Sequence, residues 1–206
     1  MRFFAAAAIL GLVPLAALAA TPEAAPVAAL DTALIATMKA GSANTGYQQR
    51  YNTLDPVVDS SFDLPVITQN SVGFLWNTLP AAQQQQLAAL MEQFTVASYV
   101  SQFNSFGGEK ILLLPAEKLL GAKRIIQTQI VPSDGSAPTE IDYVVGEDQN
   151  GWQITDVLLN GTISQVAIHA SDFSSLVTSG DATQLIAALK SKIAALASGT
   201  TDSSGQ

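Results

Sequence analysis

The chain has 206 residues with a formal net charge of −8 and no cysteine. That balance excludes a nucleic-acid partner, since phosphate binding needs clustered Lys and Arg and no basic run is present. It also excludes a disulfide framework and any thiolate site. Apolar residues make up 48% and charged residues 13%, enough to bury a core in one domain and too apolar for a disordered chain.

The first stretch, MRFFAAAAILGLVPLAALAA, reads as an export signal over residues 1–19. Arg2 is a short positive start, Phe3 to Leu15 an apolar run, and Ala17-Leu18-Ala19 a small-residue cleavage site, with the cut after Ala19. The alternative is an uncleaved anchor, because the segment is near the lower limit of about 17 residues for a membrane span. The alanine-rich signal has a bacterial character and points to the periplasm. Residues 20–26, ATPEAAP, read as a loose leader.

From 27 to 106 the pattern is helical. Leu30, Leu34, Ile35 and Met38 share helical spacing. Pro56 and Pro65 are expected to break the next stretch into short pieces. Thr78-Leu79-Pro80 reads as a helix start, with Thr78 or Asn77 as cap and Pro80 in the first turn, followed by a long helix that Gly107-Gly108 ends. Leu87, Leu90, Met91 and Phe94 form one stripe, continued with a slight rotation by Tyr99, Val100 and Phe103. This helix carries more apolar surface than one core stripe requires.

The period then changes to two. KILLLPAEKL, KRIIQTQIVP, TEIDYVVGED and GWQITDVLL read as strands within 109–159, joined by turns such as SDGSAP and EDQNG. Asn160-Gly161-Thr162 matches a glycosylation sequon but reads as a plain turn. Helices are expected within 163–197, the first to about residue 178 and the second from 183, and a disordered tail over 198–206. The whole is α+β: one domain over 27–197, with a curved antiparallel sheet of four to five strands covered by helices and extra helices at its N-terminal side.

No catalytic motif stands out. His169 is the single histidine, so it cannot found a metal cluster, and mid-helix beside Ile168 it reads as a structural or surface residue. Asp142 and Asp156 lie on predicted strands near Tyr143, which leaves open an enzyme with either carboxylate as base. A non-catalytic adaptor with a filled core is a third possibility. The surplus is apolar: Phe94, Tyr99, Val100, Phe103 and Ile163 on helices, and Ile126, Ile141, Tyr143, Ile154, Val157 and Leu159 on strands, are the candidate lining of an apolar cavity. Lys110, Lys118, Lys123 and Arg124 flank the first hairpin and read as solvated strand ends.

Three segments together resemble one family. They are VVDSSFDLPVITQNSVGFLWNTLPAAQQQQLAALMEQF, then IDYVVGEDQNGWQITDVLLNGTISQVAIHASDFSSLV, then LIAALKSKIAAL, covering most of residues 50–196. Their order and spacing resemble the periplasmic MlaC family of lipid-transport proteins, and within it the hopanoid-associated HpnM branch. The resemblance implies an NTF2-like cone and no enzymatic activity or cofactor. It implies a soluble periplasmic carrier that holds a phospholipid or hopanoid and shuttles it between an outer-membrane donor complex and an inner-membrane ABC-type complex; a monomer is the default for such a shuttle.

Overall fold

The computed structural model describes residues 21–199. The expected signal segment over 1–19 and nearly all of the expected tail lie outside them. Among the described residues the order is α1 (Ala25–Ser42), α2 (Tyr47–Ser61), α3 (Leu64–Val72), α4 (Ala81–Gln102), β1 (Lys110–Leu120), β2 (Lys123–Val131), β3 (Thr139–Asp148), β4 (Gly151–Leu159), β5 (Ile163–Ser164), α5 (Gln165–Phe173) and α6 (Thr183–Ser198). No described helix is long and apolar enough to cross a membrane.

The strands form one antiparallel sheet in the order β1-β2-β3-β4-β5, a meander built from consecutive hairpins. Leu120 pairs with Lys123 across a two-residue turn whose first residue, Gly121, has φ +61°. Glycine at that position takes the positive φ that a tight hairpin needs without strain. The α+β architecture with its antiparallel sheet agrees with the sequence reading.

Several local expectations differ. Residues 25 and 26 of the expected loose leader already belong to α1, since Ala24 and Val27 are buried and Pro26 suits a first helical turn. Pro56 lies inside α2 rather than ending it, held by the fully buried Leu54 and Val58 on either side. Thr78 closes a short 3-10 segment, Gly73–Thr78, and Pro80 itself precedes the first turn of α4. That helix ends at Gln102, before the two glycines, which lie in the loop to β1. The helix expected to reach about residue 178 is shorter: Ile163–Ser164 adds a fifth strand, and α5 stops at Phe173. Helix α6 takes in Ser198, the first residue of the expected tail.

Helix α4 is central. It packs against α2, α3 and α6, which explains apolar residues on more than one of its faces. Its first turn is tied to the start of α6 through Gln83, whose amide donates to Asp181 at 3.0 Å and accepts from Ala182 N–H at 2.8 Å. The α2–α3 corner is fastened to the sheet: Asp63 N–H donates to the Ile154 carbonyl at 2.9 Å, and the Asp63 side chain caps α3 at Val66 N–H.

One close approach gives a stability prediction. A Cβ on Gly41, in the last turn of α1, would stand 1.9 Å from the Asn104 carbonyl oxygen, a backbone atom that cannot swing away. Gly41→Ala is therefore expected to lower stability by about 1–3 kcal/mol, the usual range for forced overpacking. Chemical denaturation of wild type and variant measures it, and equal midpoints would refute the close packing of α1 on this loop.

Candidate functional site

The pleat of β3 places Ile141 and Tyr143 on one face of the sheet, and their partners Leu159 and Val157 on β4 share it. Helix α4 crosses above this face. Between them lies a cavity of about 240 Å³. Its helix wall is Met91, Phe94, Thr95, Ser98, Tyr99, Gln102 and Phe103, its floor is Ile141, Tyr143, Val157 and Leu159, and Phe62 and Ile67 close one side. Gln165, Val166 and His169 of α5, with Asp156, complete it. The volume is just under the range of about 300–1,000 Å³ common for small-molecule sites.

Six of the lining side chains are aromatic: Phe62, Phe94, Tyr99, Phe103, Tyr143 and His169. Tyr99 lies 6.1 Å from Phe62 and 5.9 Å from Phe103, ring centre to ring centre. His169 stacks on Phe173 at 5.4 Å and meets Phe94 edge-on at 5.8 Å, so it joins α5 to α4. Burial lowers the His169 pKa below its ordinary 6.5, so the imidazole is neutral at pH 7. Burial raises the Tyr99 and Tyr143 phenols. Both therefore stay protonated.

Of the eleven residues proposed from sequence as cavity lining, Phe94, Tyr99, Phe103, Ile141, Tyr143, Val157 and Leu159 border this space. Val100, Ile126 and Ile154 do not; each is at most 1% exposed, within filled core. Val100 sits on the α2 side of α4, where its carbonyl accepts from Arg50 at 2.8 Å. Ile154 lies under the α2–α3 corner, paired with Phe62. Ile163, on β5 rather than a helix, is 48% exposed and is not among the residues that border the cavity.

The carboxylates suggested as a base do not converge. Asp142 alternates with Ile141 and Tyr143, which puts it on the opposite face of the sheet, beside Lys118 at 3.7 Å and Gln127 at 3.3 Å. Asp156 does reach the cavity edge, because the register of β3 and β4 shifts there. Both its oxygens are engaged, however. It accepts from Ser164 at 2.5 Å, Val166 N–H at 3.1 Å and Val157 N–H at 2.8 Å. Ser164 in turn caps α5 through Ala167 N–H. Asp156 thus anchors the start of α5. Among the described residues no group of three His, Asp or Glu could hold a metal ion.

Sequence reasoning missed the particular α5 residues Gln165, Val166 and His169, and the corner residues Phe62 and Ile67. The α5 signal was available in part: Gln165 and His169 are four apart, which puts them on one helix face.

The family model described as MlaC protein matches residues 28–191. The chain belongs to the MlaC family. No curated protein matches it significantly. Among solved structures, the phospholipid-binding protein from Ralstonia solanacearum, solved in complex with a phospholipid, is similar with a TM-score of 0.72. The two are 19% identical, and the match covers 85% of this chain and 98% of that one. At that identity the likeness speaks for the fold, and this MlaC-family chain shares its architecture of helices over an antiparallel sheet.

Proposed function

We propose that this MlaC-family chain is a non-enzymatic lipid carrier whose cavity takes the apolar tail of a phospholipid or a hopanoid-like lipid. The observation that carries this reading is the aromatic and aliphatic space between α4 and the inner face of β3 and β4. Family membership and the phospholipid held by the Ralstonia protein support it. The sequence of residues 1–19, read as a cleaved export signal, and membership of the family support a periplasmic location, and a monomer is the form proposed for the carrier. There it passes lipid between an outer-membrane donor complex and an inner-membrane ABC-type complex.

The energetics suit a carrier. Burying one methylene contributes about 0.8 kcal/mol, so a long acyl chain represents on the order of 10 kcal/mol of gross transfer energy. A bilayer offers nearly the same, so the cavity need only match it. A tail cannot cross water unaided, so rapid exchange needs a docked partner that opens the cavity. Protein purified natively from the periplasm is expected to release about one equivalent of lipid on organic extraction, read by mass spectrometry. Lipid-free protein in repeated native preparations would overturn the carrier.

A further inference from the structure

The cavity is apolar at depth and polar along one side. Ser98 and Gln102 stand four residues apart on α4, and Gln165 and His169 four apart on α5, so each pair shares a helix face. All four border the cavity. None of the four side chains forms a hydrogen bond with the described residues, although each carries donors and acceptors. The Phe94–His169 contact brings the two helices together here. Thr95, by contrast, is already used, donating to the Met91 carbonyl at 2.8 Å.

The charge of this rim is as informative. No Lys or Arg lines the cavity, and the one carboxylate on it, Asp156, is fully engaged in holding α5. Asp172 and Lys192 act on His169 from outside the lining, with opposite signs. Among the lining residues an anion at this rim would meet no Lys or Arg, the partner that a partly buried charge needs. A hydroxyl or ester carbonyl would meet four uncharged partners.

We propose that Ser98, Gln102, Gln165 and His169 form a neutral hydrogen-bonding clamp that selects lipids presenting a hydroxyl, ester or amide at the cavity mouth over lipids presenting a phosphate monoester there. This rests on the carrier reading and narrows its ligand class. A phosphate-bearing lipid, monoester or diester, fits it only with the ester carbonyls at the clamp and the phosphate beyond it, in water, and so seats less deeply than a lipid whose hydroxyl enters the clamp.

Diacylglycerol and phosphatidic acid with the same acyl chains differ only in that group. Delipidated full-length mature protein is incubated at pH 7.5 with phosphatidylcholine vesicles containing equal amounts of both, re-isolated, and its lipid quantified. Wild type is expected to be enriched in diacylglycerol over phosphatidic acid by about tenfold, equal to 1.4 kcal/mol. The double variant Gln102→Ala, Gln165→Ala should bring the ratio in whatever lipid it extracts near one, and Gln102→Arg should turn it toward phosphatidic acid. Enrichment of phosphatidic acid by wild type, or an unchanged ratio in the double variant, would overturn the clamp. Wild type that extracts no lipid of any kind would instead overturn the carrier reading on which the clamp stands.

Discussion

Asp31→Asn is expected to stabilise the protein at pH 8 by as much as about 4 kcal/mol and to flatten its stability between pH 4 and 8. Asp31 sits in α1 with 8% exposure, and its Oδ1 is buried without a hydrogen-bond partner. Burial raises its pKa from 3.8 to about 7. Between those values the folded protein keeps a proton that the unfolded chain has released. The favourable contribution of the protonated carboxyl is thus complete below pH 3.8 and is lost as pH rises through about 7. At 1.36 kcal/mol per pH unit, the gap amounts to roughly 4 kcal/mol above pH 7. Asparagine keeps the shape and has no charge to desolvate. Urea denaturation of both proteins at pH 5 and pH 8 measures the effect; parallel pH profiles would refute it. Asp31 also raises the phenols of Tyr99 and Tyr143, so its charge is felt at the cavity wall.

How much of this was legible in the sequence depends on whether the deciding contact is periodic. The floor was readable because strand alternation alone puts Ile141 with Tyr143, and Val157 with Leu159, on one face. The helix wall was readable only in part. A 3.6-residue period shows that Phe94, Tyr99, Val100 and Phe103 are apolar, but not which neighbour each one meets. Val100 turned to α2 and the other three to the cavity, and three helices packed around α4 decide that division.

Other features rest on contacts remote in sequence. Phe62 and Ile67 reach the cavity because the α2–α3 corner is bonded to Ile154, some ninety positions along the chain. Asp156 turns to the cavity edge at a register shift that no composition announces. Its bonds to Ser164 and Val166 start α5 after a two-residue strand, so Ile163 falls outside the helix expected to hold it. His169 looked inert as a lone histidine. Its meaning comes from Phe94, seventy-five positions earlier, and from Phe173 on its own helix.

Val157→Trp is expected to abolish lipid uptake with little loss of stability in the lipid-free protein. Val157 lies on β4 opposite Tyr143 and faces the space of about 240 Å³ below α4. An indole placed there enters a void that, on the carrier reading, an acyl chain fills. Its burial, at about 25 cal/mol per Å² of apolar area, offsets the small adjustments of Phe94 and Tyr99. A filled core behaves differently, since forcing in extra volume costs about 1–3 kcal/mol or more. Val100→Trp supplies that comparison on the same layer of the fold, because Val100 is fully buried on the α2 side of α4. The measurement pairs thermal melts of delipidated wild type and both variants with their lipid content after incubation with phosphatidylcholine vesicles. Val157→Trp should melt near wild type and carry no lipid, while Val100→Trp should melt well below both. If Val157→Trp is as destabilised as Val100→Trp and wild type takes up no lipid, the space under α4 is ordinary core, and the chain is an adaptor rather than a container.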